Sequence, residues 1–139
     1  MSRSGYSDDC NGWDLIRWRG AVTSAMRGKR GRALLLELRD ALDAMPEKVL
    51  IARELVDASG SFCTLGVIGK ARGLPLADID PEDSDQVAKH FGIAPALAKE
   101  IVFENDEAVW WFQETPEKRW ERMREWVEEA IKIGERHEA

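Results

Sequence analysis

Apolar residues recur at helical spacing through most of this chain. Leu15, Trp18, Val22 and the Ala25/Met26 pair follow one another at three- and four-residue steps. That stripe predicts a first helix from about Asn11 to Arg27. Gly28 and Gly31 bracket Lys29-Arg30 and read as a helix stop, a tight basic turn and a restart. Leu34/Leu35, Leu38, Ala41/Leu42 and Met45 give a second stripe over about Arg32 to Met45, closed by Pro46. The short connection makes residues 11–45 an antiparallel helical hairpin.

The pattern changes between residues 49 and 64. Val49-Leu50-Ile51 suits a strand, and Asp57-Ala58-Ser59-Gly60 is turn chemistry ahead of Phe62 and Cys63, so a short hairpin is expected. A short helix follows from about Cys63 to Ala71, carrying Gly66 and Gly69 and stopping at Gly73. Asp80-Pro81-Glu82-Asp83 is a start signal: a side-chain acceptor, a proline at the first helical position, and acids at the positive helix end. That helix ends near His90, before Gly92. Another covers about Ala94 to Glu104, with Leu97, Ala98 and Ile101 on its face. Thr115-Pro116-Glu117 repeats the start signal and opens a helix to about Ile133, striped by Trp120, Met123, Val127 and Ala130/Ile131. The expected fold is mainly α: one compact helical domain over residues 11–134 with a short β-hairpin around residues 49–64. Residues 1–10 read as a flexible N-terminus and 135–139 as a frayed end.

Composition narrows the class. At 44% hydrophobic and 33% charged, the chain is too apolar to be disordered. No apolar run approaches the ~18–20 residues of a membrane span. The first residues lack the apolar stretch of a signal peptide, so a cytoplasmic location without membrane contact is expected, with Cys10 and Cys63 as reduced thiols. The net charge of −6 is unevenly spread. Residues 1–39 hold eight basic and four acidic side chains, a balance of +4; the remaining 100 hold 12 and 22, a balance of −10.

Most candidate chemistry falls to a plainer explanation. The acidic run Asp78 to Asp85 fails as a calcium loop, because Asp83 stands where the turn glycine belongs and Lys89 where the bidentate glutamate belongs. Cys10, Cys63, His90 and His137 are too scattered for a zinc site. Neither a metal nor another cofactor is expected. Gly69-Lys70 lacks the earlier glycine and the following hydroxyl of a phosphate loop; Thr64 and Ala71 hold those places. No catalytic constellation is expected, although a nucleotide-sized pocket near Cys63, His90 and Asn105-Asp106 is the reading an enzyme or small-ligand binder would need.

Two features remain. Arg17, Arg19, Arg27, Lys29, Arg30 and Arg32 concentrate positive charge on the predicted hairpin, suited to phosphates or to an acidic partner, or to pairing with the chain's own acidic segment. Trp110-Trp111-Phe112 cannot all face one core from a regular element, and an exposed tryptophan beside Asp106 and Glu107 would anchor a protein partner. Burial of the whole aromatic cluster is the competing reading.

Several stretches together resemble a group of small hypothetical proteins from tailed phages and prophages. They are Ser4 to Cys10, Trp13 to Arg19, Gly28-Lys29-Arg30-Gly31, Cys63 to Gly66, Phe91-Gly92-Ile93-Ala94, Glu104-Asn105-Asp106-Glu107 and Thr115-Pro116-Glu117. The resemblance implies a context, a small acidic protein made inside an infected bacterium, and no activity. By analogy with small phage accessory proteins, the expected function is non-enzymatic binding of a host or defence macromolecule, a protein or a protein–nucleic-acid complex. Its contacts would be Trp110, Trp111, Asp106 and Glu107, or Arg17, Arg19, Lys29, Arg30 and Arg32. Direct nucleic-acid binding through residues 17–32 is the alternative.

Overall fold

The computed structural model describes residues 12–106 and 113–135, with side chains of the first helix from Ile16 onward. The helices are α1 (Gly12–Arg27), α2 (Lys29–Ala44), α3 (Thr64–Arg72), α4 (Ser84–Phe91), α5 (Pro95–Asp106) and α6 (Pro116–Glu135). The predicted N-terminal segment 1–10 lies outside the described residues.

α5 is the hub of the packing and touches α1, α3, α4 and α6. Its buried residues lie on several sides: Leu97, Ala98, Ile101 and Val102 are inside, and so are Glu100 and Asn105. α2 lies against α1, α3 and α6 and buries Leu34, Leu35, Leu38 and Leu42. α6 adds Met123, Val127 and Ala130. The helix starts follow from capping. Thr115 Oγ1 accepts from the Lys118 amide at 3.2 Å, behind Pro116 and Glu117. α4 starts three residues later than its start signal suggests. Asp80 spends its carboxylate on the Glu82 amide (2.9 Å), forming a turn, and Asp83 becomes the cap by accepting from Gln86 N. Gly73 and Gly92 end α3 and α4 in the left-handed conformation, as their positions predict.

The β-hairpin expected around residues 49–64 does not form; no strand occurs among the described residues. The chain does fold back at Asp57–Gly60, with one antiparallel bridge, Val56 to Phe62, and scattered backbone bonds from Ile51 N to Phe62 O, Asp57 N to Ser61 O and Cys63 N to Leu55 O. Several other backbone groups that a continuous ladder would need are taken by other elements. The Leu50 amide donates to Pro116 O, Arg119 donates to Leu50 O, and Asn105 Nδ2 donates to Ile51 O. Arg53 sits at φ 73, which further breaks an extended course.

α1 and α2 are separated by Gly28 alone, so the restart comes earlier than Arg32 and Gly31 is inside α2. A Cβ on Gly31 would stand 1.8 Å from the Ala25 carbonyl oxygen, so the two helix backbones are pressed together at this position. Gly20, in the middle of α1, is the opposite case: a Cβ there would meet none of the described residues within 4 Å. Glycine inside a helix costs about 0.5–1 kcal/mol relative to alanine. Gly20→Ala is therefore expected to stabilise the protein by that amount and to raise Tm by roughly 2–4 °C, measured by thermal melting. A lower Tm would show that the face of α1 at Gly20 is covered.

Candidate functional site

The α1–α2 corner carries the basic residues singled out above. Arg17, Arg19, Arg27, Lys29 and Arg30 are exposed and make no ion pair with any described residue. Asp78, Asp80, Glu82, Asp83 and Asp85 are exposed too, yet none of them pairs with this corner. Among the described residues, therefore, no ion pair joins these cations to that acidic run. Elsewhere arginines are committed: Arg72 makes a two-pronged bond to Glu37 (2.7 and 2.8 Å) and Arg124 does the same to Asp43 (2.8 and 3.0 Å). Hydrogen bonds from these arginines hold the Glu37 and Asp43 carboxyls below the usual carboxylate range. The unpaired cations at the corner stand out against that background.

The corner is not one continuous patch. Arg17 and Arg19 are two residues apart on a helix, so they point roughly 160° apart around it. Arg17 lies beside the outward face of α1, and Arg19 lies at its other edge. Arg32 is half-buried and engaged within the fold, close to Gly134 of α6. The remaining concentration is Arg27, Lys29 and Arg30 at the turn, with Arg17 along α1. α2 starts there without a side-chain cap and with no acid in its first turn.

The second candidate, Asp106 with Glu107, Trp110 and Trp111, is only partly described; Glu107, Trp110 and Trp111 lie outside the described residues. The flanks of that segment are firmly built. Asn105 Oδ1 accepts from the Thr64 amide (3.1 Å) and hydroxyl (2.7 Å), while its amide donates to Ile51 O (2.9 Å) and Asp106 Oδ1 (2.7 Å). Asp106 Oδ1 also accepts from the Arg53 amide at 2.9 Å. On the other flank, Arg122 donates to the carbonyls of Glu104 and Asn105 that end α5 and makes a two-pronged bond to buried Glu114. Arg119 Nε lies 3.3 Å from Glu114 without hydrogen-bond alignment, so it supplies charge there and no further bond. This junction ties α3, α5, α6 and residues 50–53 together. Asp106 thus has an internal role that its sequence neighbourhood did not announce.

The chain matches no family model, no curated protein and no solved structure.

The geometry gives a nucleotide-sized pocket near Cys63 little room. The cavity beside Cys63, Thr64, Asn105 and Asp106 measures about 10 Å³, enough for one water. His90 is exposed on α4 and does not line it. Burial pushes the Cys63 thiol up to about 12, so it stays protonated at neutral pH and is a poor nucleophile. A roomier cleft of about 580 Å³ opens between α2 and α3, over Met45, Val49, Phe62 and Val67, with Lys70 held above the Phe62 ring at 5.3 Å. Sequence reasoning missed this cleft because its walls come from segments separated by a long loop. Among the described residues no cluster of His, Cys, Asp and Glu could hold a metal, and no helix is long and apolar enough to cross a membrane.

The buried pair Trp18–Glu100 was also missed. Trp18 Nε1 donates to Glu100 Oε2 at 3.0 Å across the α1–α5 contact. In the sequence Trp18 reads only as part of an apolar stripe, and no local pattern marks Glu100 as its partner.

Proposed function

We propose that this protein is a phage or prophage accessory protein that works by binding an acidic macromolecule of the bacterial host, in the host cytoplasm and without catalysis. A component of host defence is the leading class of partner. The observation that carries this reading is the set of exposed cations at the α1–α2 corner, without an ion pair among the described residues, on an otherwise acidic chain. Arg27, Lys29 and Arg30 form the contact, Arg17 extends it along α1, and Trp110, Trp111 and Glu107 are a second contact set. Charge of this kind speeds encounter and selects partners by complementarity.

The test is capture from infected cells with tagged wild type and Lys29→Glu/Arg30→Glu in parallel. Both positions are exposed, so the variant is expected to melt close to wild type and to retain less than a tenth of the captured partner. Trp110→Ala/Trp111→Ala is expected to weaken capture while staying folded. Equal capture by the charge-reversed protein would remove the corner from the account.

A second reading, nucleic-acid binding at the same corner, is favoured by the clustering of exposed Arg27, Lys29 and Arg30, because clustered cations suit phosphate. It requires a gel shift at low salt that fades steeply as salt rises and is lost in the same variant.

A further inference from the structure

The cleft between α2 and α3 has the dimensions of a small-molecule site. Its volume, about 580 Å³, lies within the roughly 300–1,000 Å³ of clefts that hold such ligands. Val49 and Phe62 belong to the segment that reads as a hairpin, and here they wall the cleft, half-buried, with Met45. Val67 of α3 lines it buried, and Ser61 adds a hydroxyl at its edge. Polar bonds hold both loop rims in place. Lys48 Nζ donates to the carbonyls of Asp43 (2.9 Å) and Met45 (2.8 Å), which fixes the turn carrying Pro46 and Glu47. Asp57 Oδ1 accepts from the amides of Ser59 (3.0 Å) and Ser61 (2.9 Å), which fixes the turn carrying Gly60. The cleft is therefore formed before any ligand arrives.

Charge narrows what would fill it. Lys70 lines the cleft from the last turn of α3, exposed, with its ammonium 5.3 Å from the centre of the Phe62 ring. Among the described residues no carboxylate pairs with it. An ammonium steered by an aromatic face at the edge of an apolar cleft selects a negative charge attached to an apolar body. Glu47 also lines the cleft, exposed, and repels a second negative charge. We infer that this cleft binds a small aromatic carboxylate. The ring packs on Phe62 and against Met45, Val49 and Val67, and the carboxylate meets Lys70. A nucleotide or other polyphosphate fits worse, because a single lysine would face several charges beside Glu47. The cleft shares no residue with the basic corner, so this inference goes beyond the binding function proposed above and does not depend on it.

The test titrates the full chain with naphthoate, with its neutral counterpart naphthamide and with adenosine monophosphate, read by calorimetry and by backbone amide NMR shifts. Naphthoate is expected to bind about fivefold more tightly than naphthamide, the worth of one partly exposed ion pair. Its shifts should centre on residues 45–49, 60–62 and 67–71. Lys70→Gln should erase the preference for the acid while leaving naphthamide binding unchanged. Ala44→Trp should weaken both ligands by about tenfold or more, because Ala44 lines the cleft and the added indole fills it. Both positions are exposed, so melting temperatures close to wild type confirm that the variants fold. Intact capture of the host partner by Ala44→Trp, with naphthoate binding blocked, supports a small-molecule site separate from the corner. No naphthoate binding at millimolar concentration, equal affinity for naphthoate and naphthamide, or indifference to both variants would overturn the inference. Tighter binding of adenosine monophosphate than of naphthoate would overturn it in favour of a phosphate ligand. Loss of host-partner capture in Ala44→Trp would give the cleft to that protein, which also overturns it.

Discussion

Asn105→Leu is expected to lose about 3–6 kcal/mol of stability. The leucine would remain apolar and buried, but three groups lose their partner at once: the Thr64 amide, the Thr64 hydroxyl and the Ile51 carbonyl. Thr64 and Asn105 are fully or almost fully buried, so water cannot readily replace the bonds. Each buried polar group left unsatisfied costs about 1–3 kcal/mol. Since a domain of this kind holds about 5–15 kcal/mol in total, the variant should be close to unfolded at 37 °C. Asn105→Asp separates the contributions. It keeps the acceptor for Thr64, loses the donor to Ile51 and places a second carboxylate beside Asp106, so it should be destabilised without matching the leucine variant. Urea unfolding gives both values. A loss below about 1 kcal/mol for Asn105→Leu would show that residues 50–64 are held by something other than this side chain.

Gly31→Ala should cost about 3 kcal/mol or more, because the added carbon would collide with a backbone atom. At 1.8 Å from the Ala25 carbonyl oxygen, the new Cβ can be accommodated only by moving α1 and α2 apart. Overpacking usually costs about 1–3 kcal/mol, with larger values where nothing can yield. The control is the same substitution at Gly20, where the expected sign is opposite. Helix propensity is nearly the same at both sites, so the difference measures tertiary approach alone. Near-equal effects of Gly31→Ala and Gly20→Ala would contradict the close crossing.

Capped helices were legible in the sequence. Thr115-Pro116-Glu117 and the glycines at 73 and 92 act where local chemistry says they should, since a cap involves only residues a few positions apart. Long-range recruitment was not legible. Val49 to Ile51 reads as a strand in isolation, and it is denied one by groups contributed from Asn105, Pro116 and Arg119. The basic corner was visible as composition, whereas its division was not: helical rotation separates Arg17 from Arg19, and Arg32 turns into the fold beside Gly134. Asn105-Asp106 reads in sequence as part of a partner contact or a ligand pocket, and its neighbours in space, Thr64, Ile51 and Arg53, add a structural clasp that no local pattern shows.

Binding at the α1–α2 corner is tested most directly by zero-length crosslinking of amines to carboxylates in the complex captured from infected cells. The amines of this chain include Lys29 at the corner, Lys89 on α4, and Lys118 and Lys132 on α6. The account predicts crosslinks from Lys29 to aspartates or glutamates of the partner, lost when the complex is washed at high salt before reaction. Crosslinks at Lys89, Lys118 or Lys132 with none at Lys29 would contradict it.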